Sequence, residues 1–293
     1  MKILVDASNA WYRAYVATML DKPGGPVLIM TYMLRRLCNE YGKNNIILCW
    51  DAGKGGRKEL DENYKAGRKA VDGVWEDIAY MKQMVTSLGL ANAQADGFEA
   101  DDVVGSLAKQ MIEPVRIVSY DKDFYQLVEE KIEVLRPERT VKGQKIPQQV
   151  ISRDEVIEEF GCPPEKVILC KSFKGDASDN IPKISIRFTK GFLEQFFKAV
   201  LKSDTVTDFY NNLDCFDTKY HQELLTFKDR AILNEKIVKI KTDLSVEVKS
   251  PKMDITSFEQ LCKDLNINKL KASDWQTMAT EAPPPAPIQN SLF

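Results

Sequence analysis

Three short apolar runs in this chain stop on an aspartate: Ile-Leu-Val-Asp6, Ile-Leu-Cys-Trp-Asp51 and Ile-Val-Ser-Tyr-Asp121, the last followed closely by Asp123. Through the N-terminal two-thirds such runs alternate with amphipathic segments, the pattern of a parallel sheet flanked by helices. The strand candidates are Ile3–Val5, Ile46–Trp50, Val115–Ser119 and Ile132–Leu135. Helical periodicity fills Thr31–Tyr41, Trp75–Leu88, Ala100–Met111, Arg153–Phe160 and Lys166–Phe173. The sequence therefore predicts a doubly wound α/β domain. In open parallel sheets, ligands bind in the crevice at the carboxyl ends of the strands, so these independent aspartates are expected to converge there.

Composition narrows the chemistry. With 293 residues, 44% of them hydrophobic, the chain has enough apolar surface for one large core with or without a helical annex. The start, Met-Lys followed by only Ile3, Leu4 and Val5 before Asp6, is too short for a signal peptide or a membrane span, and a cytoplasmic protein is expected. Six cysteines, with no C-x-x-C pair and no nearby histidine, read as reduced core residues rather than a zinc site. A net charge of −2 gives no general positive field, so any nucleic-acid binding must use local basic patches. The single histidine, His221, lies outside every motif and makes triad chemistry unpromising.

A fourth acidic group, Gly97-Phe98-Glu99-Ala100-Asp101-Asp102, marks a helix start whose N-terminal dipole favours nearby anions. A fifth, Lys174-Gly175-Asp176-Ala177-Ser178-Asp179-Asn180, lies where the α/β pattern gives way to a helical one. Any of these carboxylates alone reads better as a turn or helix cap. Gathered in one place they repel each other, and the simplest way to keep them ionised is to bind hard divalent cations through oxygen. Magnesium fits best, with manganese as the expected substitute.

The motifs Val5-Asp6-Ala7-Ser8-Asn9, Gly97-Phe98-Glu99-Ala100-Asp101-Asp102, Asp121-Lys122-Asp123 and Gly175-Asp176-Ala177-Ser178-Asp179-Asn180 stand in an order that resembles the flap endonucleases and 5′-3′ exonucleases, most of all the T-even phage ribonuclease H type. The resemblance runs to about residue 265. It implies a PIN-like 5′ nuclease core and two metal positions, with Asp6, Asp51, Glu99, Asp101 and Asp121 at the first, Asp123, Asp176 and Asp179 at the second, and Asp102 in the same network. The implied activity is structure-specific cleavage of DNA or RNA–DNA hybrid at a 5′ flap or nick, removing primers or flaps during replication. A PIN-like ribonuclease and a catalytically silent DNA-binding accessory are the competing readings.

Between Ala52 and Val74 a long, basic, Gly-rich stretch follows directly on Asp51. Its segment Asn63-Tyr64-Lys65-Ala66-Gly67-Arg68-Lys69 is similar to the family's helical arch. The resemblance implies that Lys65 and Arg68 stabilise charge at the scissile phosphate, that Tyr64 stacks on a base, and that Arg57, Lys58 and Lys69 meet phosphate. Lys171 matches a basic position in phage relatives, although helix capping accounts for it equally well.

The expected organisation is a catalytic domain over residues 1–180, a helical DNA-binding domain over 181–280, and a Pro-rich linker with a tail over 281–293. Helical patterns in the annex include Gly191–Leu201, Phe227–Ile240 and Ser257–Leu265, and strand signals are missing there. The stretch Ile181–Gly191 lacks the glycines of the family's helix-turn-helix loop, which argues against a bound potassium ion, while Lys183, Arg187 and Lys190 remain candidates for duplex phosphates. In the tail, Gln289, Leu292 and Phe293 resemble a sliding-clamp peptide, and a frayed terminus is the competing reading. A monomer is expected.

Overall fold

The computed structural model of the chain describes residues 1–18, 24–67, 74–141 and 143–281. Its strands are β1 (Lys2–Asp6), β2 (Ile46–Trp50), β3 (Ala91–Gln94), β4 (Val115–Val118), β5 (Ile132–Arg136), β6 (Arg139–Val141), β7 (Gln144–Ile146), β8 (Gln149–Ile151) and β9 (Val248–Lys249). Two compact units interleave along the sequence. One takes Met1–Trp50, Asp72–Ala93 and the stretch from Glu247 onward, the other Asp51–Val71 and Gln94–Val246. The division expected at residue 180 falls inside the second unit.

In the first unit β1 and β2 run parallel, with Val5 opposite Leu48 and Asp6 opposite Cys49. Apart from Lys2 both strands are wholly buried, which is why they read as unbroken apolar runs. β1 passes straight into a helix, Ala7–Thr18, that the sequence pattern did not reveal. Asp6 makes this junction possible: its Oδ1 accepts the Asn9 N–H at 3.1 Å, satisfying a donor that the first turn leaves open. The next helix, Gly25–Tyr41, starts well before the expected Thr31, behind a left-handed Gly24 and with Pro26 in its first turn. Val27, Met30, Leu34, Leu37 and Cys38 form its buried stripe.

The expectation of an all-helical region after residue 180 is corrected by β9. Val248 and Lys249 pair antiparallel with Ala93 and Asn92 of β3. Both strands are short, and Ala-Asn-Ala-Gln carries little strand propensity, so neither announces itself. Gly89, at φ 69°, lets this return lie close: a Cβ there would stand 2.7 Å from the Met253 nitrogen. The helices Val74–Ser87 and Ile255–Asp264 then pack together, joined by Asp254 N–H donating to the Ser87 carbonyl at 2.8 Å.

In the second unit β4 and β5 are parallel, β8 joins β5 antiparallel, and β6 and β7 form a separate antiparallel pair. The helices Val167–Lys174 and Lys228–Val238 pack against each other beside a cluster of phenylalanines, with the Phe173 and Phe209 ring centroids 4.2 Å apart. A buried amide pins these helices. Asn234 Nδ2 donates to the carbonyls of Ser172 and Pro182, both at 2.8 Å, and its Oδ1 accepts from Arg230 Nε at 2.9 Å. All six cysteines are buried and free, as expected, and no helix among the described residues is long and apolar enough to cross a membrane.

Replacing Asn234 by alanine orphans two carbonyls and releases Arg230. We expect a loss of about 1–3 kcal/mol of stability, read from the urea midpoint at unchanged slope.

Candidate active site

The acidic residues of the second unit are brought together by backbone first. Past β2, the segment after Asp51 zips onto the segment before Glu99: Ala52 N–H donates to Phe98 O at 2.9 Å, Gly97 N–H to Ala52 O at 3.0 Å, and Gly55 N–H to Gly97 O at 2.8 Å. Only glycine fits at residue 53, where a Cβ would lie 2.2 Å from the Gly97 carbonyl carbon. Asp51 Oδ1 accepts the Ala100 N–H at 2.7 Å, so its carboxylate stands at the N-terminus of the helix Ala100–Gln110, where the dipole favours it.

Gly55 and Gly56, both left-handed, turn the chain into a short helix, Arg57–Leu60, and aim Arg57 inward. Its guanidinium grips Asp102 with both Nη atoms, at 2.7 and 2.8 Å, and its Nε donates to the Ile237 carbonyl at 2.9 Å. Asp102, fully buried, also accepts the Lys241 N–H at 2.9 Å. This corrects two expectations. Arg57 is not a surface phosphate contact, and Asp102 has its oxygens taken by protein donors, because each is the other's partner.

Glu99 lies among cations: Lys65 Nζ at 2.9 Å, Arg57 Nη1 at 3.4 Å and Lys54 Nζ at 3.7 Å. The Tyr64 hydroxyl reaches Glu99 at 3.0 Å and Asp179 at 3.2 Å. Burial, then the charges of Glu99 and Asp179, push this phenol far above its usual range, so it stays protonated and donates. Its ring packs with Ile181, Ile237 and Val238 and is only 3% exposed, which leaves no face for base stacking and corrects that expectation.

Asp121 begins the 3-10 turn Lys122–Leu127, accepting the Asp123 N–H at 2.9 Å. Lys171, buried on the helix Val167–Lys174, ion-pairs with both Asp123 and Asp176 rather than facing solvent. Burial works against a charge on Asp176, but Lys171 and the Ser178 hydrogen bonds outweigh it and hold this carboxyl down at about 2. Asp121 goes the other way. Burial, reinforced by the charges of Asp179 and Asp176 and only partly offset by Lys171 and Lys65, pushes it up. Asp101 stands partly exposed in the first turn of its helix, and Asp6 stands at the end of β1 in the first unit, where it lies opposite Cys49.

Oxygen-only donors of this kind suit hard divalent cations, and added positive charge is what the upward shift of Asp121 calls for. Among the described residues no three acidic, cysteine or histidine side chains already form a metal cage. Ammonium groups lie between carboxylate pairs instead, Lys65 with Glu99 and Asp179, and Lys171 with Asp123 and Asp176. Lys58, Lys183, Arg187 and Lys190 are exposed. Arg68, Lys69, Gln289, Leu292 and Phe293 lie outside the described residues. The Arg57–Asp102 pair carried no sequence signal, its members being 45 residues apart.

A family model described as the 5′-3′ exonuclease N-terminal resolvase-like domain matches residues 1–161. Over 282 residues the chain is 27% identical to the 5′-3′ exonuclease of Buchnera aphidicola, covering 88% of this chain and 93% of that protein. It is 32% identical over 259 residues to the thermostable DNA polymerase I of Thermus filiformis, covering 84% of this chain but 29% of the polymerase. The chain thus spans under a third of that polymerase. Among solved structures, the T5 D15 protein crystallised with metal ions matches at a TM-score of 0.64 and 18% identity, covering 90% of this chain and 97% of that one. The catalytic core of Rad2 in complex with DNA matches at 0.59 and 13%, covering 93% and 89%. At these identities the likeness is one of fold.

Removing Arg57 alone strands a buried carboxylate. Arg57→Ala is expected to cost about 3–5 kcal/mol in chemical denaturation, and the Arg57→Ala/Asp102→Ala double variant less than the sum of its parts.

Proposed function

The chain belongs to the 5′-3′ exonuclease family, and from that premise we propose that it is a structure-specific 5′ nuclease acting on DNA and RNA–DNA hybrid at a 5′ flap or nick. The observation that carries the proposal is the network of Glu99, Asp121, Asp123, Asp176 and Asp179 threaded by Lys65 and Lys171. These five carboxylates are the proposed holders of two divalent cations, with Mg2+ as the working ion and Mn2+ as its substitute. Asp6, Asp51 and Asp101 are proposed as further ligands on the strength of their sequence motifs. Asp102 is left out because Arg57 and the Lys241 N–H take its oxygens. When bound, such cations supply positive charge that stabilises the oxygens of an in-line displacement at phosphorus.

The chain's own groups divide the remaining work. Lys65, with its side chain 10% exposed at the edge of the network, would neutralise charge on the scissile phosphate. Arg68 is proposed for the same role from its place in the motif. Lys183, Arg187 and Lys190 meet duplex phosphates as exposed point charges. Removal of RNA primers or 5′ flaps during replication is proposed from the ordered acidic motifs; the relatives include a DNA polymerase I, and a T5 protein described as a flap endonuclease shares the fold. The tail residues Gln289, Leu292 and Phe293 are proposed to bind a sliding clamp.

End-labelled flap, nicked and RNA-primed substrates, each with and without magnesium, test the assignment. Products from the 5′ end are expected only with the ion, and Asp121→Ala or Asp176→Ala should lower the rate by on the order of 10²-fold or more. Cleavage that survives in both variants overturns the metal assignment. Joint replacement of Lys183, Arg187 and Lys190 by alanine should flatten the log–log salt dependence of binding by a slope of about 2 to 3.

A further inference from the structure

Two non-glycine residues of the second unit, far apart in sequence, hold left-handed backbones against each other: Lys65 at φ 55° and Asn180 at φ 58°. Lysine adopts this conformation only at a cost, whereas asparagine tolerates it, so something must hold Lys65 there. Two hydrogen bonds do so. The Lys65 N–H donates to the Asp179 carbonyl at 2.9 Å, and Asn180 Nδ2 donates to the Asn63 carbonyl, also at 2.9 Å. The Tyr64 hydroxyl, at 3.2 Å from Asp179, closes the same contact from its buried side.

The turn that presents these groups is itself tightly closed. Asp176 and Ile181 exchange backbone hydrogen bonds at 3.0 and 2.8 Å, and Ser178 donates to Asp176 Oδ1 from both its N–H and its hydroxyl. Gly175 permits the close return, since a Cβ there would lie 2.5 Å from the Ile181 carbonyl oxygen. The basic segment is held at its other end by Asp61, which ion-pairs with Arg230 at 2.6 Å and accepts the Asn63 N–H at 2.9 Å. Asn63–Lys65 is therefore clasped between Asp61 and the Asp176–Ile181 turn, and Lys65 Nζ is delivered to Glu99.

We propose that Asn180 is a positioning residue: its amide holds the Asn63 carbonyl so that Lys65 keeps its left-handed backbone and its ammonium stays at the carboxylates. The acidic turn and the basic segment then act as one unit, and whatever seats the turn seats the lysine. This rests on the role given above to Lys65. Asn180 touches neither substrate nor metal ligand side chain in this account, and it acts only through Lys65.

The test is a double-mutant cycle in the full-length protein. Asn180→Gly keeps the left-handed backbone while removing the donor, and Asn180→Asp keeps the side chain's size while removing the donor. Single-turnover cleavage of a flap substrate at saturation is expected to fall by about 10- to 100-fold in both, with substrate Kd nearly unchanged. In a Lys65→Ala background the same changes should have little further effect. Full additivity with Lys65→Ala, or a loss confined to Kd, overturns the proposal. Hydrogen exchange at the Lys65 amide gives a readout without activity: protection should drop in Asn180→Gly while the global unfolding midpoint holds. Unchanged protection defeats the latch even in an active nuclease. A wild-type protein that cleaves none of the substrates defeats the nuclease reading, and the exchange result still decides the latch.

Discussion

The buried pairing of Arg57 with Asp102 is the contact on which the second unit's interior depends. Either charge alone would cost several kcal/mol to bury, and both are tolerable only because every strong donor and acceptor is matched. Besides the two-pronged contact with Asp102, the guanidinium reaches the carbonyls of Ile237 and Lys239, and Asp102 takes the Lys241 N–H. One ion pair thus ties the loop after Asp51, the helix Ala100–Gln110 and the chain leaving the helix Lys228–Val238. The same guanidinium lies 3.4 Å from Glu99, which directly precedes the helix Ala100–Gln110.

Around that anchor the remaining cations serve two masters. Lys65 and Lys171 are chemically suited to phosphate, yet in this structure both are engaged with carboxylates. Each lysine offsets part of the carboxylate charge around it, and Lys171 with the Ser178 hydrogen bonds holds Asp176 down at about 2 while Asp121 is pushed up.

Much of this was legible in the sequence, and the reasons are specific. β2 is legible with its full span and β1 nearly so, because strands covered on both faces leave continuous apolar runs; β4 and β5 are nearly so because Val115, Ile117, Val118 and Ile132, Val134, Leu135 outweigh the single interruptions at Arg116 and Glu133. β3 and β9 were missed because each is held by its partner rather than by its own composition. The acidic positions were visible because strand ends and helix starts advertise themselves in order along the chain. The fates of Arg57, Tyr64 and Lys171 were not. Their partners are distant in sequence, and a basic or aromatic residue in a polar stretch looks the same whether it will face solvent or an internal carboxylate.

The first unit draws its strands from both ends of the described chain, β1 and β2 early and β9 late, with the helix Ile255–Asp264 packed on Val74–Ser87. The second is nearly continuous from Gln94 to Val246. Synthesis runs from the N-terminus, so the second unit is fully emerged while the first still waits for its last strand. Until that later stretch emerges, β3 lacks its antiparallel partner β9 and the helix Val74–Ser87 lacks the helix that packs on it. The earlier stretch of this sequence therefore depends on the later one to complete its fold.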